Sequence, residues 1–425
     1  MKRRCSVLRR SLLLLLALAA LWWPGPGWSG EGPVELEYWH ILGGDLGRAH
    51  EELVEEFNSS RTDIRVRYSY SGDSWTGWDK LVLAIAAGTA PDLALIEDYW
   101  TAKLASSGAL LELDGLIAGE GRALEDDIYP LFWRSWSYAG TVWAMPYAMS
   151  NLMMYYNKDL FREAGLDPEA PPRTWDELVS VGLALTRDLD GDGRTDQWAL
   201  SFPLTAQTGV VYYWLPFLWQ KGGELLNPDG TGLLFAATEG VEALQFWVDL
   251  IHGYGIVPLA PPIEGFLAGR VAMTLGSSAK LGYYLAQAGF ELGVAPLPMN
   301  AERATILGGK GLAVFTQDER KQQAAWEFIR WLTAAEQNLR WSITTGYSPI
   351  RLSVLRSRPF QEYLERTPGA ETSLEELLYT RPRPALPGYT EISRIIGLAL
   401  EKALFGREDP QKVLEEAAEE AEQYL

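Results

Sequence analysis

The sequence predicts an α/β protein. Two observations carry this: short runs alternate apolar and polar residues with the period of a strand, and between them apolar residues recur at helical spacing. The composition permits it, since 425 residues that are 47% hydrophobic and 22% charged can bury sizeable cores, in two or three domains at about 150 residues each.

Val34, Leu36 and Tyr38 alternate with Glu35 and Glu37 as a first strand, and the chain turns at Gly43 and Gly44. Leu46, Ala49, Leu53 and Phe57 follow as one face of a helix; Ile64, Val66, Tyr68 and Tyr70 alternate again. Strand, helix, strand implies a parallel pair with a right-handed crossover. Leu81, Val82 and Ile85 mark a second helix ended near Gly88, and 93–96 reads as a short buried strand after Pro91. In open sheets of this kind ligands sit beyond the carboxyl ends of the strands, which singles out loops 39–45, 71–78 and 97–100.

The almost uncharged stretch 143–157 fits a buried strand that crosses between two parts of the fold. Thr174 with Glu177 three residues on forms a capping box that opens a further helix. Strand-like 292–297 ends at Pro298, 312–315 leads into a long helix carrying Trp326, Ile329 and Leu332, and 411–423 is an acidic helix face. Neither a repeat nor a low-complexity linker interrupts this order, so several crossings rather than one tether are expected.

Lys plus Arg number 37 against 56 Asp plus Glu, a net charge of −19, which argues against a nucleic-acid backbone or an anionic membrane as the main partner. The single cysteine, Cys5, excludes a disulfide framework. Lys2, Arg3, Arg4, Arg9 and Arg10, an apolar run over 11–23 and the breakers Pro24 to Gly27 read as a secretory signal peptide over residues 1–29, cleaved after Ser29. Cys5 precedes that run, so no lipid anchor is expected; an uncleaved anchor is the alternative that Trp22, Trp23 and Trp28 keep open.

Eighteen Trp and 19 Tyr exceed what a core of this size requires and point to a carbohydrate. A pyranose needs a flat ring to stack on and carboxylates or amides to accept its hydroxyl hydrogens. Such neighbours occur at Asp73 with Trp75, at Glu97 with Tyr99 and Trp100, and at Tyr212 to Trp214. Asp188, Asp190, Asp192 and Asp196 alternate around Gly191 and Gly193 like a calcium loop, but Ala199 stands where the bidentate Glu belongs, so a solvated turn competes with a structural calcium site. Three histidines and no zinc helix, nucleophile elbow or phosphate loop give catalysis little to stand on; a glycoside hydrolase, which needs only two carboxylates, stays the outsider.

Taken together, the leader, Gly88 to Asp92 before a strand, Tyr155 to Asp159, Gly308-Gly309 and Thr345 to Pro349 resemble the extracellular solute-binding proteins of ABC importers, in the maltose- and glycerol-3-phosphate-binding branch. The resemblance covers nearly the whole mature chain. It implies the two-lobe type II periplasmic-binding-protein fold, with one lobe of residues 30–147 and 298–346 and the other of 148–297 and 347–425. Three crossings near 147, 297 and 346 would flank a cleft that closes by hinge motion. Trp39 to Gly47, including His40 and Asp45, is similar to the segment that opens the first lobe of the glycerol-3-phosphate binders. By the resemblance this segment and Gly308-Gly309-Lys310 face one cleft, with Tyr147, Ser150 and Tyr347 lining it from the crossings and Arg383 beside them. Glycine amides at Gly43 and Gly44 can hold an anion, with a turn that only needs glycine as the plain alternative, and Gly308-Gly309 offers a similar pair of amides with Lys310 beside them.

The expected protein is therefore an exported, monomeric carrier that needs no cofactor and hands a mono- or oligosaccharide to membrane permease subunits. A glycerol-3-phosphate or glycerophosphodiester carrier is the second reading.

Overall fold

The structure, a computed structural model, describes residues 32–425. The expected signal peptide and Cys5 lie outside them. Strand β1 (Val34–His40) buries Leu36 and Tyr38 and exposes Glu35 and Glu37, the alternation the sequence carries. Helix Gly44–Ser60 turns Gly47, His50, Leu53, Val54 and Phe57 inward at spacings of three and four. β2 (Ile64–Tyr70) then pairs parallel to β1, from Val34 opposite Ile64 to His40 opposite Tyr70. β3 (Leu93–Glu97) lies parallel on the other side of β1 and is buried throughout.

A short hairpin, β4 (Ser137–Tyr138) and β5 (Thr141–Val142), precedes β6 (Met145–Asn157), all thirteen residues of which are buried. β7 (Trp198–Ser201), β8 (Val271–Ser277), β9 (Leu292–Ala295), β10 (Thr305–Val314) and β11 (Thr380–Arg381) complete a nine-stranded sheet in the order β2-β1-β3-β10-β6-β8-β7, with β11 on β10 and β9 on β6.

Two of these strands serve both lobes. β6 pairs with β10 from Met145 to Asn151 and with β8 and β9 from Leu152 onward. β10 begins against β11 at Thr305 and Ile306 and ends against β3 from Lys310 to Val314. A third crossing touches β6 where Met149 bridges Ser348. The cores divide accordingly: Leu36, Trp136, Met149, Leu307 and Tyr347 belong to one, and Leu152, Trp214, Trp247, Ile306 and Tyr389 to the other.

The second crossing, expected near 297, falls between Ile306 and Leu307. Pro298 ends β9's strand-like run, but the chain stays with the second lobe: Met299 bridges Thr174, and Ala304 packs in that lobe's core. Likewise Tyr347 and Ile350, placed beyond the 346 boundary by the resemblance, pack in the first lobe's core. Among the described residues no helix is long and apolar enough to cross a membrane.

Candidate functional site

Asp73 caps helix Ser74–Ala86, its carboxylate accepting the Thr76 amide at 2.8 Å, and so presents Ser74 and Trp75 from the first turn. β3 delivers Glu97 at its carboxyl end, and a tight turn, Asp98–Trp100, follows. Antiparallel β10 sets Lys310 opposite Glu97 in register, which makes their side chains partners: Lys310 Nζ is 3.0 Å from Glu97 Oε1. Ser74 Oγ donates to the same oxygen at 2.6 Å.

Arg383, just beyond β11, closes the arrangement from the second lobe. Its guanidinium donates to both carboxylate oxygens of Asp98, through Nε at 3.2 Å and through Nη2, lies 3.6 Å from Glu97 Oε2, and sits 4.2 Å over the ring of Tyr99. Burial alone would push the Glu97 carboxyl up, but Lys310 and Arg383 outweigh it and hold the group below the ordinary glutamate range. Asp98 is pushed up to about 6, burial and the neighbouring Glu97 charge prevailing over Arg383. Both inner cations are thus already paired with carboxylates.

Around this quartet lies a cleft of about 430 Å³ between the lobes, within the range of small-molecule sites. The first lobe contributes Asp73, Ser74, Trp75, Glu97 and Tyr99; Ser150, Gly308, Gly309, Lys310 and Tyr347 line it from the crossings. Gln207 to Gly209, Tyr212, Tyr213, Ser277 and Arg383 close the second-lobe side. Of the sequence candidates, Asp73, Trp75, Glu97, Tyr99, Ser150, Gly309, Lys310, Tyr347 and Arg383 meet in this one cleft.

Four do not. His40, last residue of β1, follows the inward parity of Leu36 and Tyr38 and is fully buried beside His50, 3.3 Å from the Glu51 carboxylate. Asp45 lies in the exposed first turn of its helix and pairs with Arg48. Tyr147 stands behind the wall, bonded through its hydroxyl to His50 Nδ1 at 2.9 Å and stacked on Trp341. Trp214 is a core residue with no exposed surface, because helix Val210–Gln220 turns Tyr212 and Tyr213 to the cleft and the next residue away from it.

Sequence reasoning missed Ser74, Gln207, Thr208, Gly209 and Ser277. For 207–209 a signal existed: Thr205 and Thr208 form a reciprocal cap that ends in left-handed Gly209 at the start of the aromatic helix. Gly308, Gly309 and Gly311 belong to a strand. They lie in β10, where a Cβ on Gly309 would come 2.6 Å from Met149 Sδ and one on Gly311 2.9 Å from the Trp136 ring. At the acidic loop, Asp188, Asp190 and Asp196 offer oxygens within 4.8 Å of one another, without Asp192; all three are exposed. Their carboxylates accept the loop's own amides, Asp188 from Gly191 and Gly193 and Asp196 from Leu189.

Residues 52–368 match the family described as bacterial extracellular solute-binding protein. The chain is 27% identical over 409 residues to the sn-glycerol-3-phosphate-binding periplasmic protein of Escherichia coli strain K12, covering 92% of each. The crystal structure of a cyclic alpha-maltosyl-1,6-maltose binding protein from Arthrobacter globiformis superimposes with a TM-score of 0.78 at 32% identity, over 92% of this chain and 98% of that one. UgpB from Mycobacterium tuberculosis, in complex with glycerophosphocholine, does so with a TM-score of 0.83 at 27% identity, over 93% and 98%. The two lobes, the shared strands and these likenesses agree: the chain belongs to the bacterial extracellular solute-binding proteins, and is the substrate-binding protein of an ABC importer.

Proposed function

We propose that the cleft captures a mono- or oligosaccharide and that the protein, acting as a monomer, delivers it unaltered to the permease. The observation that carries this reading is the pairing of rings with compensated charge. Trp75 and Tyr213 offer faces for a pyranose, Asp73 and Glu97 offer acceptor oxygens, and Lys310 and Arg383 are each neutralised by carboxylates already in place. A neutral polyol keeps that balance, whereas a phosphate held at the centre must displace Glu97 or Asp98 from its cation.

Two relatives favour a second reading, a glycerol phosphate or glycerophosphodiester: one is named for sn-glycerol 3-phosphate and one was solved with glycerophosphocholine. A thermal-shift screen of the purified protein over sugars, glycerol phosphates and phosphodiesters decides between them, because a bound ligand raises the melting temperature by mass action. Saccharides alone should raise it; a rise with glycerol phosphates alone overturns the saccharide reading. No chemistry on the ligand is proposed, in keeping with a family and solved relatives that are binding proteins. Release of reducing ends by the purified protein would refute this.

A further inference from the structure

Tyr347 lines the cleft from the third crossing, where its phenol acts on the ammonium of Lys310. Its backbone stands in the hinge, between left-handed Gly346 and Ser348, whose amide donates to the Met149 carbonyl at 2.8 Å. Such a segment bends when the lobes move. The side chain is held from elsewhere. Its ring lies 13° from parallel to Trp341 with centroids 5.6 Å apart, and Trp341 also stacks on Tyr147 at 4.9 Å and 25°. Both separations fall within the range of attractive ring pairs.

Tyr147 is where this ring stack meets a hydrogen bond. Its hydroxyl is 2.9 Å from His50 Nδ1, and His50 Nε2 is 2.8 Å from the Tyr38 hydroxyl. His50 projects inward from helix Gly44–Ser60 and Tyr38 from β1, both elements of the first lobe. Burial pushes protonation of the imidazole well below the ordinary histidine range, helped by His40 beside it. A neutral imidazole offers one donor and one acceptor, and a phenol can supply either, so the two tyrosines satisfy it. Trp341 has no comparable hold: its buried indole N–H finds no hydrogen-bond partner among the described residues. Of Trp341 and Tyr147, only the tyrosine is thus anchored by a directional bond, and its anchor is His50.

We infer that His50 is a positioning residue of the solute site: through Tyr147 and Trp341 it ties the Tyr347 ring to the first lobe, so that this part of the wall keeps its shape as the hinge bends. The inference rests on the cleft being the solute site, not on which solute enters it.

Two substitutions of like polarity separate this role from plain core stability. His50→Asn keeps a polar atom where Nδ1 stands, and so the bond to Tyr147; His50→Gln keeps one where Nε2 stands and bonds Tyr38 instead. Each gives up one hydrogen bond, so both should melt below the wild type by similar margins. Fluorine NMR of the full chain labelled with 3-fluorotyrosine reads the ring directly, the Tyr347 resonance being the one lost in Tyr347→Phe. His50→Gln should displace that resonance and His50→Asn should leave it in place. Tyr147→Phe, which removes the same bond and keeps the ring, should act as His50→Gln does, and carries the test if the His50 variants fail to fold. Titration calorimetry with maltose and sn-glycerol 3-phosphate measures the consequence. Whichever probe binds the wild type should bind His50→Gln about tenfold more weakly, and the loss should disappear in a Tyr347→Ala background. A Tyr347 resonance that stays in place in His50→Gln and Tyr147→Phe, or moves equally in both His50 variants, overturns the inference. So does a displaced ring with unchanged affinity, or a loss of affinity that persists without the Tyr347 ring. The resonance needs no solute, so failure of both probes to bind counts against the proposed solutes and leaves the resonance to decide the role of His50.

Discussion

At the scale of single residues, the Glu97–Lys310 pair couples the site to the stability of the fold. Both side chains are largely buried, so Glu97→Gln strands an ammonium and should cost about 3 kcal/mol in urea denaturation at neutral pH. The pH dependence has a definite sign. Glu97 titrates below its ordinary range in the folded protein, so its stabilisation is complete above the unfolded glutamate pKa and is lost as pH falls through the folded value. The gap between wild type and variant should therefore narrow in acid; a gap that widens contradicts the pairing. Trp75, 37% exposed at the cleft, is the complementary case. Trp75→Ala should weaken a bound saccharide roughly five- to tenfold with an unchanged melting temperature, as titration calorimetry and a thermal scan check. The loops carrying these residues were legible because ligands gather at strand ends. His40, Tyr147 and Trp214 were misplaced because residue type says nothing of which way a side chain points. Much of the aromatic surplus serves the cores: Trp100, Trp136, Trp214, Trp247 and Trp341 are all fully buried.

At the scale of elements, β10 shows why part of the fold was hidden. Three glycines in four positions give a weak strand signal, because glycine weakens strands. Here the neighbours require it. The flat face of Trp136 lies where a side chain on Gly311 would go, and unlike the flexible end of Met149 it has nowhere to move. Gly311→Ala should therefore destabilise by about 1–3 kcal/mol, seen as a lower melting temperature, while Gly309→Ala, facing the methionine, should cost less. The reverse order would mean that backbone geometry rather than packing selects these glycines. The acidic loop is a contrasting element, local and self-contained. Its carboxylates already hold its amides, so its shape does not require calcium, and a chelator should leave the melting temperature within the scatter of repeat scans. A fall reversed by calcium would instead establish a structural ion held by Asp188, Asp190 and Asp196.

At the scale of the whole molecule, the lobes are joined in two ways that respond differently to force. β6, β10 and the segment at Met149 and Ser348 are continuous chain and hydrogen-bonded to one another, so they bend without separating. Opposite them side chains tie the lobes together: Arg383 with Asp98, Tyr99 edge-on to Tyr389, and Lys103 3.7 Å from Glu391. Beside these contacts Thr101, Thr390 and Glu391 each bury a polar oxygen that finds no partner in the protein. Such groups lose hydration on closure without full return, so the lobe contacts alone favour the closed form weakly and a ligand spanning both walls decides the balance. Arg383→Gln removes the strongest of the side-chain ties and leaves the hinge strands intact. Small-angle scattering should then show a larger ligand-free radius of gyration than wild type, contraction on adding a saturating ligand, and a higher ligand concentration at the midpoint, since the binding-competent form is less populated. Equal dimensions for wild type and variant, with and without a ligand whose saturation calorimetry has established, would mean that the lobes are fixed and that recognition is a property of the first lobe alone.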